Sequence, residues 1–225
     1  RGTRVDPPMA FRQPSLYRSR REKGPRMTLR IIGKASSINV RKVLWACEEM
    51  AVAYERCDDG PELALNPNGL VPVIVDGDFV LWESNTILRY LAGRYGAMDL
   101  LPQEPRRRAE VEQWIDWQAT DLNSSWRYAF MALVRRDPAF DDPRQIAAST
   151  TNWNRMLSIL EARLAATQAF VAGTDFTLAD IPIGLSVNRW LMTPIEQPSF
   201  PAVGAYYERL STRPAFLKHG RNGIP

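Results

Sequence analysis

The segment ASSINVRKV, residues 35–43, sets Ser36, Ser37 and Asn39 directly ahead of Val40, Val43, Leu44 and Cys47, which fall at the i, i+3, i+4, i+7 spacing of an amphipathic helix. Hydroxyl and amide groups in that place have two uses. They cap the helix by accepting from its free N–H groups, or they donate to a ligand at an end where the helix also favours negative charge. A second such place is Glu83-Ser84, ahead of the helical stripe Leu88, Leu91, Ala92 and Tyr95. Ser84 too is a cap or a donor to an anion.

Other chemistries have little to work with. Cys47 and Cys57 form no CxxC, and His219 is the one histidine, so a disulfide framework, a Cys/His metal cluster and a His-dependent triad all lack ligands or partners. No metal is expected. Cys47 lies on the apolar stripe and reads as core. The overall charge of +4 is uneven: residues 1–26 carry eight Lys/Arg against Asp6 and Glu22, which leaves a net −2 for the rest. A body of that sign does not grip a phosphate backbone, so no nucleic-acid partner is expected. The leader, residues 1–26, reads as disordered, ahead of a domain beginning at Met27. No apolar run approaches the ~18–20 residues that span a bilayer, and no signal-peptide pattern opens the chain. The expectation is a cytoplasmic protein with no membrane partner.

The elements that must position these residues follow from patterning. TLRIIG (28–33) and AVAYERC (51–57) read as strands on either side of the first helix. LVPVIVDGDFVLWES (70–84) holds two apolar runs around Asp76-Gly77-Asp78, a hairpin signal. The order β-α-β, loop, β-β-α predicts a small α/β domain with a mixed sheet, over residues 27–100. MDLLPQEPRRR (98–108), with Pro102 and Pro105, reads as a linker. Beyond it, over residues 106–225, the strong patterns are helical, including stripes headed by Trp126, Trp153 and Val203. FTLADI (176–181) fits a capping box with Thr177 as N-cap, Asp180 at N3 and Phe176 stapled on Ile181, and Pro182 predicts a local kink just after it.

Four motifs in this order resemble the cytosolic glutathione transferase superfamily: NPNGLVPVI (66–74), WESNTILRYLA (82–92), FTLADI and STRPAF (211–216). The resemblance is to bacterial serine-type members, with some similarity to the nu-like class. It implies an N-terminal thioredoxin-like α/β domain followed by an all-α helical bundle, glutathione as co-substrate, and a homodimer.

The resemblance also implies roles. A serine four residues before a basic residue of the first helix donates to the glutathione sulfur, and Arg41 places that serine at Ser37, with Ser36 as the backup hydroxyl. A free thiol of pKa about 8.5 is mostly protonated at neutral pH, and a hydroxyl donor and a helix N-terminus both favour its anion. Ser37-Ile38-Asn39 also fits the spacing in which an asparagine shares the sulfur, so Asn39 is a second candidate; its alternative is a cap or first-turn residue. Glu83 is implied to meet the γ-glutamyl ammonium and Ser84 the neighbouring carboxylate. Val71 is implied to pair with the cysteinyl backbone ahead of a cis Pro72, whose alternative is a proline at a strand edge or start. Trp126, Tyr128 and Met131 are candidates for the electrophile pocket, with Trp126 more consistent with helix core, as are Trp114 and Trp117.

Three departures narrow the reading. Gly69 stands where some serine-type classes have a histidine, the segment between Cys57 and Asn66 is too short for a full second helix, and Ile38 replaces the cysteine of the isomerase-type Ser-Ser-Cys motif, which disfavours maleylacetoacetate isomerisation. The leading expectation is conjugation of glutathione to small electrophiles. Its alternatives are glutathione-dependent reduction of disulfides or peroxides, and a non-catalytic binding or scaffold role.

Overall fold

The computed structural model describes residues 28–225. The basic leader lies outside the described residues. Strands β1 (Leu29–Ile32), β2 (Tyr54–Cys57), β3 (Val73–Asp76) and β4 (Phe79–Trp82) form one sheet in the order β2-β1-β3-β4. β2 is parallel to β1, while β3 and β4 are antiparallel, with Ile31 opposite Arg56 on one side and Ile74 on the other. A parallel pair needs a crossover, and α1 (Ile38–Glu49) supplies it. α2 (Ser84–Tyr95) follows the β3–β4 hairpin, and the stretch between β2 and β3 holds only a 3-10 turn, Pro61–Leu65.

The remaining helices are α3 (Pro105–Trp117), α4 (Asn123–Leu133), α5 (Pro143–Thr167), α6 (Asp180–Met192), α7 (Pro201–Leu210) and α8 (Pro214–His219), with a π-helical turn, Gln118–Leu122, joining α3 to α4. The architecture is the expected thioredoxin-like α/β unit followed by an all-helical bundle. Among the described residues no helix is long and apolar enough to cross a membrane.

The end of the expected linker is a correction. Residues 105–108 are the first turn of α3: Pro105 stands at a position where a missing N–H costs nothing, and the Glu104 carboxylate accepts from Arg106 and Arg107 N–H at 3.0 and 2.9 Å. Sequence punctuation that looked like a break is a start signal.

The expected capping box is half formed. The Asp180 carboxylate reaches back to the Thr177 N–H at 2.8 Å, but α6 opens at Asp180 itself, and the Thr177 hydroxyl donates to that carboxylate at 3.1 Å. Val171 N–H and Tyr206 Oη each donate to its other oxygen at 3.0 Å. Burial pushes Asp180 up to about 6, against the pull of these donors. Pro182 falls in the first turn of α6, where its missing N–H takes no bond from the ladder, so the reason for a kink there disappears.

α1 joins the two halves. It packs on α2 within the first domain and on α6 and α8 of the second. Every residue from Ile38 to Cys47 is buried apart from Asn39. Trp45 is fully buried, with ring centroids of Phe216 and Phe176 at 4.9 and 6.0 Å. A Cβ added at Gly184 of α6 would come within 3.0 Å of the Trp45 ring and 2.6 Å of Leu210, so the helices approach this closely only because residue 184 has no side chain.

Candidate active site

Five of the six predicted catalytic and glutathione-binding residues meet in space. Asn39, Val71, Pro72, Glu83 and Ser84 line one small cleft of about 60 Å³, together with Asn66, Asn68 and Leu70. Ser37 stands two residues before Asn39 but does not line it. A larger groove of about 350 Å³ between α5 and α7, lined by Glu161, Leu164, Gln168 and Arg209 among others, brings none of the predicted groups together. The smaller cleft is the one with chemistry, because polar side chains and free backbone groups converge on it.

The wall of the cleft is built by the loop before β3. The Val71–Pro72 peptide bond is cis. Among the described residues no partner pairs with the Val71 N–H or C=O, so this stretch, just ahead of β3, presents unpaired backbone groups to the cleft. Asn66, buried and missed as a site residue, holds the loop: its amide donates to the Leu70 carbonyl at 2.7 Å and its oxygen accepts from the Asn68 N–H at 3.0 Å. The turn signal Asn-Pro-Asn-Gly was legible, but not which asparagine would be the brace. Gly33, at φ 143°, lets this loop close on α1, since a Cβ there would lie 2.8 Å from Val71 and 2.6 Å from Val40.

Glu83 sits at the N-cap of α2 with φ 69° and ψ 105°, a conformation that L side chains rarely adopt. Its carbonyl accepts the first helical bond, from Ile87 N–H at 2.8 Å, and its side chain caps nothing. The exposed carboxylate therefore stands beside the free N–H groups of the first turn, an anion next to an anion-binding end. Strain of this kind, on the order of 1–3 kcal/mol, persists where the surroundings hold it.

At α1, Ser37 occupies the N-cap with extended backbone and makes no side-chain capping bond; its contribution to the helix is its carbonyl, which accepts from Arg41 N–H at 2.9 Å. Its half-buried hydroxyl is left for another partner, whereas Ser36 is exposed. Asn39, in the first turn, also caps nothing: its oxygen accepts from Ser84 Oγ at 3.3 Å, linking the two helix starts across the cleft.

Behind the cleft lies a feature the sequence reading used only as a signpost. Arg41 and Lys42 are both buried. Arg41 donates to the Ile224 and Pro225 carbonyls, each at 2.8 Å. Lys42 Nζ donates to Asn85 Oδ1 at 3.2 Å, next to Ser84, and to Gln118 Oε1 at 3.0 Å, and so ties the start of α2 to the π-helical turn. Burial, then the charge of Arg189, pushes Lys42 down to about 7, with Glu83 opposing. Burial, with Arg135 adding, lowers Arg41 to about 10. Two cations flanked by the apolar stripe of α1 were the available signal. Cys47 is core: burial, then Glu48, pushes its thiol up to about 12, far from a nucleophile. Among the described residues no group of three or more His, Cys, Asp or Glu side chains could hold a metal ion.

The expected electrophile-pocket residues stand apart from the cleft. Trp126 is 9% exposed and packs edge-on against Phe130 at 5.3 Å and beside Trp153 at 6.2 Å, which makes it core, as its place at the head of an apolar stripe implies. The Tyr128 hydroxyl accepts from Asp142 N–H at 3.3 Å and its ring meets Phe140 at 5.1 Å, so it fastens the turn after α4. Met131 is partly buried against the core.

Comparison with known proteins identifies the family over both halves of the chain. Residues 36–94 match the family profile for the glutathione S-transferase N-terminal domain, and residues 126–214 the profile for its C-terminal domain. The chain is 38% identical to glutathione S-transferase GstB of Escherichia coli over 197 residues, 83% of this chain and 94% of that one. It is 31% identical to glutathione S-transferase 3 of Zea mays, over 84% of this chain and 92% of that one. The theta class glutathione S-transferase of Xanthomonas axonopodis pv. citri, solved with glutathione bound, superposes with a TM-score of 0.81 at 39% identity, over 88% of this chain and 99% of that one. With the profile matches falling on both halves, and relatives covered nearly end to end, the chain belongs to the glutathione S-transferase family.

Proposed function

We propose that this protein conjugates glutathione to small electrophiles, with the cleft of Asn39, Val71, Pro72, Glu83 and Ser84 as its glutathione site. The observation that carries the reading is that one cleft holds a lone carboxylate, a free helix N-terminus and unpaired backbone groups at Val71. Those are the complements of an ammonium, a carboxylate and a peptide, the three features of glutathione's γ-glutamyl-cysteinyl half. Glu83 takes the ammonium, the start of α2 with Ser84 takes the carboxylate, and Val71 pairs with the cysteinyl backbone. Ser37 and Asn39 then stabilise the sulfur as its anion. The thiol proton leaves to solvent, the sulfur forms a bond to the electrophilic carbon, and the leaving group departs with its electron pair. Catalysis is activation plus positioning. The proposal includes a cytoplasmic homodimer, for which exposed Phe79 and Met98 offer apolar surface.

A second reading, reduction of disulfides or peroxides by the same thiolate, is favoured by one observation: Asn39, and not Ser37, lines the cleft. The test is retention on immobilised glutathione followed by parallel assays with chlorodinitrobenzene and hydroxyethyl disulfide. Retention with faster turnover of the aryl halide supports conjugation, and faster turnover of the disulfide supports reduction. No retention and no turnover of either contradicts both and leaves a scaffold.

A further inference from the structure

We propose that the electrophile this site accepts carries an anionic group, a carboxylate or its like, bound by the guanidinium of Arg189 with Arg135 beside it. The inference rests on the transferase reading and names the substrate class. Arg189, on α6, is 3% exposed, and its Nε is buried without a hydrogen-bond partner. Among the described residues no carboxylate pairs with it and no acceptor takes its donors. Its guanidinium carbon lies 4.1 Å from the centre of the Phe130 ring and 4.5 Å from that of Trp126. Those ring contacts offset part of the cost of burying the charge, but none of them accepts in the plane of the fork.

The charges around Arg189 add to this geometry. The groups that act on it are Arg41 and Arg135, and it acts in turn on Lys42. Arg135 is exposed and stacks at 5.5 Å on the same Phe130 ring. Arg189 and Arg41 are buried like charges that repel, and an anion entering from the side of exposed Arg135 is favoured both by that repulsion and by the unfilled donors. Burial first, then Arg41 and Arg135, lowers Arg189 to about 9, so it remains a cation at neutral pH. Arg41 and Lys42 have their acceptors already, in the 224–225 carbonyls and in Asn85 and Gln118, which leaves Arg189 and Arg135 as the free pair.

The position suits a second substrate better than glutathione itself. Lys42 bonds Asn85 beside Ser84 and also Gln118, whose amide donates to Ser186 at 3.1 Å, three residues before Arg189 on α6, so a chain of hydrogen bonds runs from the start of α2 to the helix that carries Arg189. The proposed site therefore sits between the first domain's helix starts and the second domain. Trp126 enters it as a ring face under Arg189, a different role from the wall of the pocket expected from the sequence.

The probes are a chloronitrobenzoate and the chloronitrobenzamide of the same ring substitution, which differ in charge but share the displacement of chloride by the thiolate. The ratio of their kcat/KM values, benzoate over benzamide, should fall about tenfold in Arg189→Met, which keeps an apolar contact on the rings, and by a similar amount in Arg135→Gln; Arg189→Lys should recover part of it. A folded Arg189→Met with an unchanged ratio overturns the proposal. So does a variant whose affinity for glutathione falls instead. Should Arg189→Met not fold, wild type decides by competition: unreactive nitrobenzoate should bind at least about tenfold more tightly than nitrobenzamide, and equal binding overturns the proposal. Equal turnover of both aryl chlorides defeats the anion site and leaves the transferase reading intact. Tight nitrobenzoate binding with no turnover of any electrophile does the reverse.

Discussion

Replacing Trp45 by alanine should lower the free energy of unfolding by about 3–5 kcal/mol, the range for truncating a buried large aromatic. The indole is fully buried between Phe216 and Phe176, against the backbone of α6 at Gly184. Its Nε1 donates to Glu49 at 2.8 Å, and Glu49 in turn is gripped by Arg213 through two bonds of 2.9 and 2.5 Å. Truncation leaves a cavity at the joint of the two domains and frees one end of that link. Urea denaturation followed by tryptophan fluorescence and by circular dichroism checks it. The two probes should also separate if the domains begin to unfold independently. A loss below about 1 kcal/mol would mean that the joint is held elsewhere.

The second large effect concerns Glu83. Glu83→Ala should raise the dissociation constant for glutathione by about ten- to a hundredfold, the worth of a charge-assisted contact, with a much smaller change in the rate at saturation. Glu83→Gly should weaken binding equally while raising the thermal midpoint, because glycine adopts φ 69° without strain. That pairing is informative, since stability gained where affinity is lost indicates conformational strain kept for the ligand. Calorimetric titration measures both variants. Unchanged glutathione affinity in Glu83→Ala contradicts the assignment of the γ-glutamyl site.

How much was legible in the sequence differs by element. The mixed sheet followed from its punctuation: Asp76-Gly77-Asp78 marks the turn that pairs β3 with β4, and apolar β1 must lie inside the sheet. Trp45 was not singled out, because a 3.6-residue stripe identifies one buried face and α1 has two, one on its own domain and one on α6 and α8. Linker and helix start at residues 104–108 share the same residue types, and only the Glu104 hydrogen bonds separate them. At the candidate site, Asn39, Val71, Pro72, Glu83 and Ser84 belong to local motifs that fold next to one another around one cleft. Arg189 was out of reach: it lies on α6, and nothing in its neighbours along the chain announces a cation stacked on α4. The proposed electrophile side draws on helices distant in sequence, so periodicity marks its aromatic residues as core and cannot show which charges face them.

The central claim is that groups at the start of α1 hold glutathione as its thiolate, and the titration of the bound thiol tests it most directly. Ultraviolet absorbance of the thiolate, followed against pH in the wild-type complex, should give a pKa below the free value of about 8.5. Ser37→Ala should raise it by about one to two units, the equivalent of one hydrogen bond to a charged group, with little change in glutathione affinity and no loss of stability beyond about 0.5–1 kcal/mol. The same upward shift in Asn39→Ala alone transfers the role to Asn39 and favours the reductase reading. A bound thiol that titrates at the free value in wild type, or at one unchanged value in wild type and both variants, would contradict thiolate stabilisation by these residues.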